Sequence, residues 1–362
     1  MNPAASMTFE LFTVGILLIV GFIFAAMPRL TRPSLYFAVT VNPSFRDSAE
    51  GRRALTRYRT TVIAGTVVCT VLAFLLRPGV HPFYEAGLLL MLVGISLTAF
   101  LAARRMVLPS SQEPTAQRDA ELVGRRRRLP GGVALQSLPF ALLAAVAGLV
   151  LLRWGDIPAR FPIHWGMNGQ PNGWADRTVV GVFGPLLTGV VVCSLLLVVA
   201  WAITRWSRRP AATGPLAERG ARFQQLMLWV LLAAELFLAA VTGWVALLPC
   251  LPSHDPEMTA AVISVLTLVG VAAVVVVLVR AGQGGSRLAT SRVADGAAEE
   301  SLGDRSADHF WKGGLFYVNP DDPALFVEKR FGIGYTLNFG NLWAWVILFL
   351  VIVVPVVIGV LL

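Results

Sequence analysis

Apolar runs of about 20 residues recur along this chain, and each is long enough to cross a ~30 Å hydrocarbon core as a helix. They fall at about 8–27, 60–76, 86–103, 132–152, 179–203, 226–248, 259–279 and 342–362. Lipid offers no partner to backbone N–H and C=O groups, so such segments must bond internally as helices. Of the 362 residues, 56% are hydrophobic and only 14% charged, against about 25% charged in soluble domains. The expected fold is an all-α polytopic membrane protein with about eight transmembrane helices, and with a small cytoplasmic β-containing module described below.

The basic residues set an orientation. Segments 29–59, 104–128, 205–222 and 280–330 hold nearly all of them, and the opposite loops hold only Arg77, Arg153, Arg160 and Arg177. This asymmetry places the arginine-rich segments in the cytoplasm and both termini outside. The net charge of +9 is then a topology signal. The arginines are spread along membrane-proximal loops, so the expected contact is with lipid headgroups of the bilayer and not with nucleic acid. No Lys or Arg precedes the first run, so that run is expected to be retained and not cleaved as a leader. Cys69 and Cys193 fall within runs and Cys250 on an outer loop. Their isolation gives no disulfide framework and no paired metal ligands.

The chain divides into a three-span region with basic loops (1–131), a two-span region with an outer loop (132–203) and a further two-span region (204–280). A flexible linker (281–307), a cytoplasmic module (308–341) and a last transmembrane helix (342–362) follow. In the first inner loop, residues 35–43 are β-prone and a basic helical stretch continues to Arg59. Residues 281–307 are rich in Gly, Ser, Ala and mixed charge, the composition of a tether. In the module, Asn319-Pro320-Asp321-Asp322-Pro323 is turn chemistry. Phe331, Ile333, Tyr335, Leu337 and Phe339 alternate with small or polar residues. That period of two reads as one strand with a greasy face, pairing with 315–318. Two strands alone are marginal, so the module is expected to pack on helix ends or on a partner. Val41-Asn42-Pro43 and Val318-Asn319-Pro320 echo one another, at a length that chance explains.

Segment 153–177 carries the densest recognition chemistry. Pro162, His164, Trp165, Gly166, Gly169, Asn172, Gly173, Trp174 and Arg177 sit there between two apolar runs. Asn168-Gly169 and Asn172-Gly173 read as turns, because both residue types tolerate positive φ. Tryptophan there serves either ligand contact or anchoring at the membrane interface. His164 is the one titratable ring of the loop. No pair of His81, His164 and His254 has local ligand spacing, so no metal and no cofactor are expected.

Glu235 lies mid-run between Ala234 and Leu236. An ionisable group there costs on the order of 2.5–3.5 kcal/mol and should face the bundle interior. It is expected either to relay a proton or substrate, or to make one interhelical hydrogen bond with a polar group such as Gln136. No P-loop, dinucleotide fingerprint, HExxH or nucleophile–base pair occurs, and no enzymatic activity is expected.

On Pro162, His164, Gly166, Gly169, Gly173 and Trp174, the outer loop resembles the bacterial membrane domain of unknown function shared with SdpI-like immunity proteins. Trp165 stands at the family's aromatic position, Asn172 replaces its acidic residue and Arg177 its lysine. The resemblance spans about 139–195. Segment 311–341 resembles a C-terminal module of unknown function in related bacterial membrane proteins. It does so through Tyr317, Asn319, Pro320, Asp321, Asp322, Lys329, Arg330, Gly334 and Asn338. These resemblances imply a bacterial plasma-membrane protein. The best-understood relatives confer immunity to a secreted toxic peptide, and one also signals by holding a repressor at the membrane. The resulting expectation is a non-enzymatic immunity or sensor protein with an extracellular peptide or envelope ligand as partner. A cytoplasmic regulator would meet residues 311–341. The alternative is a secondary transporter using Glu235.

Overall fold

The computed structural model describes residues 3–75, 84–112, 128–165, 171–207, 215–251, 256–288 and 306–361. The helices are α1 (Pro3–Leu30), α2 (Ala49–Leu75), α3 (Tyr84–Val107), α4 (Gly132–Leu152), α5 (Val179–Trp206), α6 (Pro215–Leu247), α7 (Pro256–Ala281) and α8 (Leu342–Leu361). Seven are long and apolar enough to cross a membrane, and α8 is apolar over Leu342–Val357. Their large side chains are exposed on the outer surface, as with Leu90, Val265 and Phe349. That is the pattern of helices solvated by lipid.

The helices form two groups. In the first, α2 packs on both α1 and α3, around Leu17, Cys69, Leu88 and Leu92. In the second, α6 packs on both α4 and α5, around Leu143, Val146, Cys193 and Ala239. Helix α7 leans mainly on α1, and α8 on α5.

Helix α2 begins earlier than its apolar run. Ser48 caps it by accepting a hydrogen bond from Gly51 N at 3.0 Å, so the basic stretch and the span are one continuous helix. Thr178 caps α5 in the same way through Gly181 N at 3.1 Å.

Among the described residues, four two-stranded antiparallel sheets decorate the two ends. At the arginine-rich end lie β1 (Leu35–Tyr36) with β2 (Val39–Thr40), β5 (Trp311–Lys312) with β6 (Phe316–Tyr317), and β7 (Phe326–Glu328) with β8 (Tyr335–Leu337). At the opposite end lie β3 (Arg160–Trp165) and β4 (Pro171–Asp176).

Two expectations are corrected here. The nine-residue strand is instead the short β8, which pairs with β7, and the stretch meets 315–318 only at its end, through a parallel bridge between Asn338 and Tyr317. Gly332 (φ 107°) and Gly334 (φ 116°) occupy left-handed backbone, which ends the extended run before Tyr335. The start of the supposed tether is built into the fold. Gln283 is buried, accepts from Arg32 N at 2.9 Å and donates to Lys329 O at 2.5 Å. Gly282, Gly284 and Gly285 all have positive φ; their small size serves a specific backbone path.

Candidate functional site

The β3–β4 hairpin is built from the helix ends outward. After α4, a turn at Trp154–Asp156 carries Trp154, stacked on Phe183 at 6.2 Å. Ile157 and Phe161 are buried with Val182 and Cys250 against α5 and α6. Cys250 thus lies at the hairpin end of the bundle but is buried, not surface-facing. Arg177 ties the base: its N–H donates to Ala159 O and its guanidinium to Ile157 O, both at 2.9 Å.

The strand register pairs Pro162 with Trp174, His164 with Gly173 and Trp165 with Pro171. These shifts leave Ile163 and Asn172 as extra residues, a bulge on each strand. Asn172-Gly173 therefore lies within β4 and not in a turn; the polar Asn-Gly pair that often reverses a chain here bends a strand.

Strand alternation sends Phe161 and Ala175 inward. Arg160, Pro162, Trp174 and Asp176 share the outer face. Trp174 is 47% exposed with the Arg160 guanidinium 5.5 Å from its ring centroid. Ile163, released by its bulge, is exposed as well. Gly166 and Gly169, the proposed Asn168-Gly169 turn, His81 and His254 lie outside the described residues. Among the described residues no three His, Cys, Asp or Glu side chains gather as a metal site would require.

At the arginine-rich end, a buried polar cluster joins three segments distant in sequence. The β1–β2 turn holds Phe37 (φ 46°) and Ala38 (φ 61°) in left-handed backbone, which costs about 1–2 kcal/mol per residue. Arg104 Nη1 donates to the Phe37 and Ala38 carbonyls at 3.3 and 2.6 Å. Arg330, fully buried, donates to Ala38 O at 3.2 Å, to Ser306 O and to Asp308. Its guanidinium lies 5.3 Å from the Trp311 ring centroid.

Asp308 also accepts from Thr40 Oγ1 at 2.8 Å and from Ser111 Oγ at 2.6 Å. Burial alone would raise the Asp308 carboxyl. The Arg330 charge and the hydrogen bonds from Ser111, Arg330 and Thr40 outweigh it and hold the group below the usual carboxylate range.

The remaining module residues fold the module itself. Asn338 Nδ2 donates to the carbonyls of Asn319, Asp322 and Ala324 at 2.8, 3.0 and 3.2 Å. Its Oδ1 accepts from Asn319 N at 3.0 Å and Gly340 N at 3.1 Å. Tyr317 donates to Asp322 at 3.0 Å and accepts from Asn319 Nδ2 at 3.0 Å. Asp321 and Lys329 are exposed.

Sequence reasoning singled out Arg330 but missed Arg104 and Asp308. An arginine in the last turn of a span carries the same local signature whether it marks topology or bonds a distant turn.

Glu235 is fully buried, and neither carboxyl oxygen has a hydrogen-bond partner among the described residues. The expected partner is otherwise engaged: Gln136 Nε2 donates to Pro130 O at 3.0 Å. The Cys193 thiol donates to the Glu235 main-chain carbonyl at 3.4 Å.

No curated protein and no solved structure matches the chain. Two segments match family models: residues 141–189 a domain of unknown function, DUF1648, and residues 320–345 a family of unknown function, DUF5808. The first covers the second half of α4, the β3–β4 hairpin and the start of α5, and the second the module from Pro320 into α8. The chain is a multi-span membrane protein that carries these two domains of unknown function, one at each end of its helix bundle.

Proposed function

We propose that this is a non-enzymatic recognition protein of the bacterial plasma membrane, of the SdpI-like kind. In this reading the β3–β4 hairpin faces outside, together with both termini, and meets an extracellular peptide. The observation that supports it is the contrast within the hairpin. Its inner face is fixed by Phe161 and Arg177, and its outer face leaves Trp174, Arg160 and Ile163 uncovered. A rigid aromatic beside a guanidinium suits a peptide, since it buries area at little entropic cost. Segment 308–341, in the cytoplasm, would present Asp321 and Lys329 to a regulator.

The test is protection of cells against secreted antimicrobial peptides. Wild-type protein should protect, and equally expressed Trp174→Ala and His164→Ala variants should not. Unchanged protection by both variants would remove the hairpin from the reading.

A second reading, secondary transport through Glu235, is favoured by its two unpartnered oxygens. Substrate flux in proteoliposomes lost in Glu235→Gln would select it.

A further inference from the structure

We infer that Glu235 is an exchangeable proton-binding site, reached from a cleft at the arginine-rich end of the α4–α5–α6 group. The cleft, about 500 Å³, is lined by Arg128, Pro130 and Gly131 before α4 and by Ala221, Arg222 and Gln225 of α6. Helices α4 and α6 both run from this end toward the hairpin. Near the hairpin, a Cβ on Gly243 would meet Val146 at 3.2 Å, and Gly189 of α5 sits between Leu143 and Thr242. Interpolating between these contacts and the cleft sets Glu235 opposite the turn from Gln136 to Pro139. Both of these residues lie on the buried face of α4.

That turn is suited to opening. Pro139 has no N–H to offer the Leu135 carbonyl, so the helix lacks one bond there. The Gln136 amide donates to Pro130 O at 3.0 Å, which places it between the cleft and Glu235. On this route, water entering through the cleft would pass the amide before it reached the carboxyl.

The surroundings decide what Glu235 carries. Helix α4 presents Gln136 and no charge, and α5 presents Cys193 as its one titratable group before Arg205. Helix α7 has no titratable group between Glu257 and Arg280, and α6 none between Arg222 and Glu235. An unpaired carboxylate there costs far more than the neutral acid, so the closed bundle keeps the proton on Glu235. On opening, the proton leaves to water and returns from it; no electron moves and no other reactant is needed.

The inference names the ion for the transport reading and does not depend on the recognition reading. Proton exchange and substrate flux are read separately, so either can fail alone.

Infrared spectra of the full-length protein in lipid nanodiscs test it. Wild type should show a protonated-carboxyl band that Glu235→Gln removes, and D₂O should shift that band within minutes. Gln136→Leu should slow the shift about tenfold, equivalent to about 1.4 kcal/mol on the opening equilibrium. No variant-sensitive band, or a band unshifted after hours in D₂O, would overturn the inference, leaving a sealed structural acid. Exchange unaffected by Gln136→Leu would overturn the route. Should Glu235→Gln fail to fold, wild type can be probed with dicyclohexylcarbodiimide, an apolar reagent for protonated carboxyls. An adduct mapped to Glu235 by mass spectrometry is expected, and its absence would count against the site.

Discussion

Arg330, just after β7, shows why a buried charge is demanding. Removing one member of a buried ion pair leaves the other without compensation, at about 3–5 kcal/mol. Here the loss would also free the Ser306 carbonyl and leave Ala38 O to Arg104 alone. Arg330→Ala is therefore expected to lower stability by about that amount, read as thermal unfolding in detergent by tryptophan fluorescence. The same pair gives a pH dependence. Asp308 has a folded-state value depressed below its ordinary 3.8. Its contribution is thus complete above that ordinary value and disappears as pH falls through the depressed one. Asp308→Asn should remove this acid-sensitive part of the unfolding profile below about pH 4, and a profile identical to wild type would refute the assignment.

The hairpins divide into those the sequence announces and those it conceals. Residues 35–41 are β-prone, yet their reversal uses Phe37 and Ala38 rather than glycine, so no turn signature marks it. Arg104 and Arg330 supply the stabilisation from outside the segment. The Asn-Pro echo, too short to tell from chance in the sequence, has a shared local geometry: Asn42 accepts from Ser44 N at 3.0 Å and Asn319 from Asp321 N at 3.1 Å. Both are Asx turns, which two sequence-adjacent residues suffice to specify.

The tip of the β5–β6 hairpin meets the β1–β2 turn. A Cβ on Gly314 (φ 76°) would lie 2.8 Å from Ala38 Cβ, so Gly314→Ala should separate the two turns. Greater protease sensitivity of the 306–341 segment would report it. In the β3–β4 hairpin the two faces should behave differently. Phe161, 3% exposed, should cost about 3–5 kcal/mol as Phe161→Ala. Trp174→Ala should stay within about 0.5 kcal/mol of wild type. Equal effects on unfolding would show that the outer face is not free.

At the scale of the molecule, the spans were legible because hydrocarbon thickness fixes their length and composition, but their grouping was not. Every span is apolar on all sides, so the sequence carries no stripe to say which faces meet. Helix α7 links the groups by packing on α1 and meeting Phe223 and Met227 of α6 through Ala281, and short polar segments supply further links. The 306–341 segment holds the first group through Arg330 on Ala38 O and Asp308 on Thr40. It holds the second through Leu325 N on Trp206 O at 2.8 Å and a bridge between Ser207 and Phe326. It therefore acts as a brace across the arginine-rich end, while the β3–β4 hairpin rests on the second group alone. This arrangement predicts coupled opening. Arg104→Ala frees the Phe37 carbonyl and leaves Ala38 O to Arg330 alone, so amide hydrogen exchange should rise together in 35–41 and 311–318. It should stay unchanged in 160–176, which among the described residues shares no buried cluster with the brace. Faster exchange in the β3–β4 hairpin as well would mean that the two ends of the molecule open as one unit, and that the brace does more than join the helix groups at its own end.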